Sequence, residues 1–462
     1  GTYTEVYRKA EKAKQVEKIL LNENKTASKV KITILDANGG TLNWKNVGIN
    51  EVEVYSTDQS NIPTLDSVIS SITGQTIENN IEKLPMPSVP EGFSIKINGA
   101  DFEQIIATDG SIVRPLTDKN VKVSFVVTET ATNKTKKTDD LNFIIKGKNT
   151  QKEGMNTKPV VIPEIAEWYS DSSNTLNINT INKVVYNDDS LVNVVDEFID
   201  DYKNFTGVEL SKEKGSTKSN SYNFIKEAPD TLLGDEGYTM DIQGDKIVVK
   251  SQSVTGNMYG MQTILQMYKQ NKSTFNVGIM RDYPRFKTRG FLFDVARKPV
   301  SMEMMKDVAR TMRYYKMNDF QVHLSDNYIF LEDYGKLENE KEAFKAYEAF
   351  RLESGLKNDK GESPTAKDYY MSKEEFNDFI VEERNLGMNI VPEIDVPAHA
   401  TSFTKIWPEL MVANQVSRLN SNRPLLDHID ISKPEAINKV KEIFDNGKDI
   451  SRYVPQAVLK IM

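Results

Sequence analysis

The chain has 462 residues, of which 38% are hydrophobic and 27% charged, with a net charge of −8 and a pI near 5.3. That is soluble globular material, long enough for about three or four domains. No Lys/Arg block stands out, which argues against nucleic acid as a ligand. No apolar run approaches about 18 residues, so no membrane-spanning segment is expected. The chain has no cysteine, which excludes disulfides, thiolate metal sites and a cysteine nucleophile.

In chain order, residues 1–57 end in KITILDANGGTLNWKNVGINEVEVYS. VGINEVEVYS alternates in strand fashion after a Gly-rich turn and, on its residues alone, reads as an edge hairpin of a β-sandwich. It resembles the final strands of discoidin-like, family 32 carbohydrate-binding modules, so 1–57 is expected to be a C-terminal remnant of one. The preceding TEVYRKAEKAKQVEKIL does not fit that pattern, and no sugar-binding residue is assigned. Residues 63–148 carry short β-rich runs separated by Gly, Asp and Pro turn signals, the signature of a β-sandwich, and look like a bacterial Ig-like spacer. KGKNTQKEGMNTKP, residues 146–159, is polar with Gly and Pro and reads as a linker.

Residues 160–284 mix strands and helices into a small α+β domain. NTLNINTINKVVYN reads as a strand pair, LVNVVDEFIDDYKNFTG as an amphipathic helix closed by Gly207, and GYTMDIQGDKIVVKSQS as a hairpin turning at Gln243-Gly244-Asp245. MYGMQTILQMYKQ reads as a helix with an apolar face.

From 285 the pattern becomes strand–helix alternation, expected to run to 462 as the N-terminal part of a (β/α)8 TIM-type barrel. RGFLFDV, DFQVHLSD and MNIVPEID are apolar strands. SMEMMKDVARTMRYYKM, capped by Ser301 with Glu303 in its first turn, SKEEFNDFIVEERNLGM, capped by Ser372, and SKPEAINKVKEIFD are helices. Apolar strands followed by helices predict a parallel sheet. In such barrels chemistry gathers at strand C-termini, and here the three strands end in Asp294 with Arg297, His323 with Asp326, and Glu393/Asp395 with His399.

Singly, each residue has a plain structural explanation. Asp294 reads as a strand-end cap and Arg297 as a surface ion pair, although its planar fork of donors suits an anion or polyol. His323, between Val322 and Leu324, reads as a satisfied core histidine. Asp326, beyond the strand, is the better site candidate, placed to meet His399 after its Pro-Ala turn, since a carboxylate bonded to imidazole orients the ring and favours its charge. The repetition at three strand ends is what lifts the set above its parts. No HExxH, Walker A, strand-borne GxGxxG or GxSxG is present, so no metal or cofactor is expected.

RGFLFDVARKPVS, DFQVHLSDNYIF and NIVPEIDVPAHATSF, in this order and spacing, resemble the first three barrel strands of glycoside hydrolase family 20, the β-N-acetylhexosaminidases and lacto-N-biosidases. DEGYTMDI and MYGMQTILQM look like the α+β domain that precedes that barrel, and YEAFRLES (347–354) is similar to the lacto-N-biosidase-like branch. The resemblance implies retaining, substrate-assisted hydrolysis, in which the substrate's 2-acetamido oxygen attacks the anomeric carbon, an Asp steadies the amide and an adjacent Glu is acid then base. It implies that Arg297 binds sugar hydroxyls, that Asp326 and His399 pair and tune the acid Glu, and that Asp294, Glu393 and Asp395 support the pocket. The implied partner is a glycan ending in N-acetylhexosamine or lacto-N-biose, and the implied location the surface or exterior of a bacterium.

The sequence departs from the family at one point: the Asp-Glu pair expected at the fourth strand is not found before the chain ends in ISRYVPQAVLKIM. GDE at 234–236 lies in the small domain, and Trp44, Trp168 and Trp407 fall outside the expected pocket positions. The expectation is therefore an incomplete, inactive barrel from a longer protein, or one interrupted near 447, with unburied sheet edges. The competing readings are a non-catalytic carbohydrate-binding or adhesion protein with a degenerate barrel, and a (β/α) enzyme of another class such as a lyase.

Overall fold

A computed structural model describes residues 63–326, 349–367, 369–413 and 428–446, with isolated positions before 63. The expected module remnant at 1–57 and the segment after 446 therefore lie essentially outside the described residues. The chain divides into two compact units, Gly1–Ile72 with Pro87–Ile95 and Val126–Thr138, and Thr73–Met86 with Lys96–Phe125 and Asp139–Met462.

In the smaller unit, helix α1 (Leu65–Ser71) starts at a capping box, Thr64 and Ser67 each satisfying the other's backbone N–H. In the larger unit, β1 (Thr76–Ile77) pairs parallel to β5 (Leu141–Ile145), which pairs antiparallel to the first half of β3 (Lys119–Glu129). β2 (Phe93–Ala100) lies beside β3, and in the smaller unit β4 (Thr135–Lys137) pairs antiparallel to the far half of β3. Two facing sheets were expected of a sandwich. Among the described residues the stretch between β1 and β3 contributes instead only the isolated bridges Lys83–Ser111 and Ile106–Ile112 besides β2. Pro85, Pro87, Pro90 and Pro115 interrupt it, and proline cannot donate to a ladder.

The next domain is built on a seven-stranded sheet in the order β6-β14-β11-β12-β10-β8-β9, formed by β6 (Glu167–Tyr169), β8 (Lys183–Tyr186), β9 (Ser211–Lys214), β10 (Ser221–Lys226), β11 (Tyr238–Ile242), β12 (Ile247–Ser251) and β14 (Gly278–Asp282). The expected hairpin is β11–β12, Ile242 paired with Ile247. The strand pair expected in NTLNINTINKVVYN does not form. β7 (Thr175–Asn177) pairs with β13 (Thr274–Asn276), while β8 joins the large sheet. A short turn of 3₁₀ helix, capped by Asn177, separates the two strands and turns the chain from one sheet to the other.

Helix α2 (Val192–Thr206) buries Val194, Val195, Phe198 and Tyr202 and ends at Gly207, whose φ of +75° suits a residue without a Cβ. Helix α3 (Val254–Gln270) is different: every residue from Gly256 to Met267 is buried. Burial this complete means cover on more than one side, and the buried polar Thr263 and Gln266 are hydrogen-bonded within the protein. The sheet covers one side of α3, and the following strand–helix units cover part of another: Gln266 Nε2 donates to Tyr314 O at 2.7 Å, and Gly387 packs on Thr255.

Those units open with β15 (Gly290–Asp294), α4 (Met302–Tyr314) and β16 (Asp319–His323), followed by the short pair β17 (Ser325–Asp326) and β18 (Ala349–Phe350). Then come α5 (Lys373–Asn385), β19 (Asn389–Glu393), α6 (Thr401–Thr404) and α7 (Pro434–Asn446). Ser301 and Ser372 cap α4 and α5 as expected, accepting from Met304 N and Glu375 N. β15, β16 and β19 lie side by side, all parallel. Phe320, Val322 and Ile390 face a core with Met305, Met312, Phe376, Phe379, Phe403 and Trp407. Trp407 sits near α7, with Lys439 Nζ 4.9 Å from its ring centroid. On the outer strand β15, Phe291 and Leu292 are nearly half exposed.

Candidate active site

Strand register builds the site. In the parallel sheet Asp294 is the partner of His323, and His323 the partner of Glu393, so the three stand on one rung at the C-terminal ends of their strands. Residues paired in register point to the same face. The alternation that sends Phe320 and Val322 to the helices sends Gln321 and His323 to the opposite face.

Asp326 is the centre of the arrangement. It is 2% exposed and, among the described residues, meets three cationic or cation-forming side chains. Arg297 Nη2 lies 2.6 Å and His323 Nε2 2.5 Å from Oδ2, while His399 Nδ1 lies 2.8 Å from Oδ1. Arg297 also donates from Nη1 to Asp294 Oδ2 at 2.5 Å, and Asp294 Oδ1 accepts from the Ala296 and Arg297 backbone N–H groups. Arg297 Nε is buried and unbonded. Glu393 accepts from Gln321 Nε2 at 2.6 Å and lies 3.3 Å from His323 Nδ1. Asp395 is held through its backbone, its N–H donating to Ser325 Oγ at 3.0 Å.

His399 reaches Asp326 because the chain turns sharply after β19. Its φ of +54° is left-handed, a conformation that costs a non-glycine residue of order 1 kcal/mol and persists where surroundings hold it. Its side chain is 46% exposed, whereas His323 is buried. The hydrogen bond to Asp326 raises the His399 pKa against partial burial. For His323, burial opposes charge, but the hydrogen bond to Asp326 and the nearby Glu393 carboxylate outweigh it and lift the imidazole to about 10. Burial raises the Asp395 carboxyl, with His399 and His323 opposing.

Among the residues named from sequence, the structure brings Asp294, Arg297, Asp326 and His399 into one connected network and places Glu393 and Asp395 at its margin. His323 corrects the sequence reading. It is a buried histidine, but its Nε2 is satisfied by the site's own Asp326, while Nδ1 faces Glu393 at 3.3 Å without a hydrogen bond among the described residues. Its signal was available in the alternation of FQVH, which puts Gln321 and His323 on the face opposite the core. Arg351 gave no such signal. It is 1% exposed, and its guanidinium donates from Nε to Ala296 O at 3.0 Å, bracing the turn that carries Arg297. Donor atoms of Asp294, His323 and Asp326, and of Asp326, Asp395 and His399, lie within 4.8 Å of one another in each set. The Arg297 guanidinium already bridges Asp294 and Asp326, so the cluster is an ion-pair network held by protein cations.

The chain's two Asp-Glu dipeptides both lie elsewhere. Asp196 pairs with Lys212, and Glu197 with Arg313 at 2.6 Å. Asp235 accepts from Gln252, and Glu236 from Arg289 at 2.8 Å and Asn318 at 3.0 Å. All four carboxylates hold the small domain together or tie it to the units that follow.

Residues 286–460 match the family described as glycosyl hydrolase family 20, catalytic domain, and residues 158–283 match glycosyl hydrolase family 20, domain 2. Over these two stretches the chain belongs to glycosyl hydrolase family 20. It is similar to the lacto-N-biosidase of Bifidobacterium bifidum, 23% identical over 290 residues, which cover 63% of this chain and 23% of that protein. It is also similar to the N,N'-diacetylchitobiase of Vibrio harveyi, 29% identical over 237 residues, covering 48% of this chain and 27% of that protein. Among solved structures, the family 20 β-N-acetylhexosaminidase of Streptomyces coelicolor superposes with a TM-score of 0.49 at 18% identity, over 64% of this chain and 59% of that one. The chain thus spans about a quarter of the length of the two curated relatives described.

Proposed function

We propose that this chain is part of a retaining glycosidase that removes terminal β-linked N-acetylhexosamine, or lacto-N-biose, from glycans, with β15, β16 and β19 as the first three strands of a (β/α)8 barrel. The observation that carries this reading is the Arg297–Asp326–His399 network at the C-terminal ends of three parallel strands, in the stretch that matches the catalytic domain. In this reading the guanidinium of Arg297, positioned by Asp294 and Asp326, offers its remaining N–H groups to sugar hydroxyls. Asp326 holds His399 by Nδ1, which leaves Nε2 on a half-exposed ring to bond the general acid and tune its proton affinity. The 2-acetamido group of the substrate is the nucleophile. A cell-surface or secreted bacterial location accompanies the proposal.

The test is nitrophenol release from aryl N-acetyl-β-D-glucosaminide and aryl β-lacto-N-bioside, with calorimetric binding of N-acetylglucosamine alongside. Release that Asp326→Ala and His399→Ala abolish supports the proposal, and the preferred aryl sugar identifies the substrate. A folded chain that neither releases nitrophenol nor binds the sugar overturns it. Binding without release favours a carbohydrate-binding protein. That second reading draws on the structural engagement of both Asp-Glu pairs.

A further inference from the structure

We propose that His323 is a positioning residue: together with Arg297 it holds Oδ2 of Asp326, while Oδ1 meets His399. The division of the two oxygens is seen directly. Arg297 Nη2 and His323 Nε2 both reach Oδ2, at 2.6 and 2.5 Å, and His399 Nδ1 reaches Oδ1 at 2.8 Å. One oxygen is thereby committed to the buried side of the site and the other to the half-exposed ring.

The charges around His323 explain why a histidine stands there. Asp326 and Glu393 face its two ring nitrogens, at 2.5 and 3.3 Å. Asp294 is its neighbour on the same rung, Arg297 bridges Asp294 and Asp326, and Asp395 and His399 lie beyond Asp326. Counting Asp294, Asp326 and Glu393 as anions and Arg297 as a cation, four ionised groups carry a net −2. An imidazolium at 323 brings this to −1. The other ring of the network is then His399. A neutral amide at 323 would supply a donor to Oδ2 without the charge. Asp326 would then attract the His399 proton more strongly, making the ring a poorer partner for any group with which it shares that proton. His323 therefore sets how readily His399 gives up its proton, without itself reaching the solvent.

This inference rests on the Asp326–His399 geometry and not on hydrolysis, so its failure and that of the proposed function are separately visible. The chain has three histidines, which makes the test direct. In the full chain labelled with ¹⁵N-histidine, each ring is followed by long-range ¹H–¹⁵N spectra from pH 5 to 10 and assigned with His399→Gln and His428→Gln. The expected spectrum shows His323 still doubly protonated at pH 8. In His323→Gln the His399 midpoint should rise by about one unit, the size expected for losing a neighbouring positive charge near a half-exposed group. Glu393→Gln keeps the ring and serves if His323→Gln fails to fold: the His323 midpoint should fall while the His399 ring stays bonded to Asp326. A His323 ring that is neutral at pH 7, or a His399 midpoint unmoved by His323→Gln, overturns the proposal.

Discussion

Replacing Asp201 by asparagine tests how burial and charge are balanced where the small domain meets the strand–helix units. The Asp201 side chain, 8% exposed, faces Arg310 at 3.6 Å from the buried side of α2. Glu197, one turn earlier on the same helix, binds Arg313 at 2.6 Å. Desolvation first, and then the charge of Glu197, lift the Asp201 carboxyl from 3.8 to about 6, against the pull of Arg310 and Arg313. The folded state therefore holds this proton more tightly than the unfolded chain does. The group's stabilisation is fully present below pH 3.8 and is lost as pH rises through about 6. An interval of about two units at 1.36 kcal/mol per unit corresponds to about 3 kcal/mol of penalty at pH 7.5. Asparagine, a neutral stand-in for the protonated acid, removes that penalty, in which the pull of Arg310 is already counted. The expected net effect of Asp201→Asn is a stabilisation of about 2–3 kcal/mol at pH 7.5 that vanishes near pH 4. Urea unfolding of the parent and variant at pH 4.5 and 7.5 measures it. A variant less stable than its parent at pH 7.5, or a difference independent of pH, would refute the argument.

Four further outcomes are expected. Gly387→Ala should destabilise by about 1–2 kcal/mol by urea unfolding, because φ there is +82° and a Cβ would lie 2.9 Å from Thr255 Oγ1. Glu236→Gln should cost about 1–3 kcal/mol in the same assay, since it removes the carboxylate that Arg289, Asn318 and Tyr259 share. Phe379→Ala should cost about 3–5 kcal/mol, its ring being fully buried against Phe320 and Phe376; a thermal scan showing little change would contradict the core packing. The raised His323 pKa contributes stability that is fully present below pH 6.5 and is lost as pH rises through about 10. The urea midpoint should therefore decline more steeply over that interval in the parent than in His323→Gln.

Much of this organisation was readable locally. Period-2 and period-3.6 patterns, Ser301 and Ser372 as caps, and Gly207 as a stop depend on neighbours within a few residues, and the helices α2, α3, α4, α5 and α7 formed where those signals lie. The strand pair expected at NTLNINTINKVVYN failed because pairing partners are chosen across the chain: β7 found β13 and β8 found β10, each more than thirty residues away. Among the described residues the stretch between β1 and β3, which carries four prolines, adds only β2 and two isolated bridges.

The site divides the same way. Sequence alone determined which chemistry-bearing residues stand at strand ends: Asp294 and Arg297, Asp326, and Glu393, Asp395 and His399. Each follows directly from an apolar run and its first polar residues. What only the tertiary structure decided is how they share charge. The parallel register set Asp294, His323 and Glu393 on one rung, and this moved His323 from the core into the site. A left-handed turn at His399 brought its ring to Oδ1 of Asp326, 73 residues away in sequence. Periodicity says which face a side chain takes. Which oxygen of a buried carboxylate meets which cation depends on register and on the closing of long loops, neither of which any short stretch encodes.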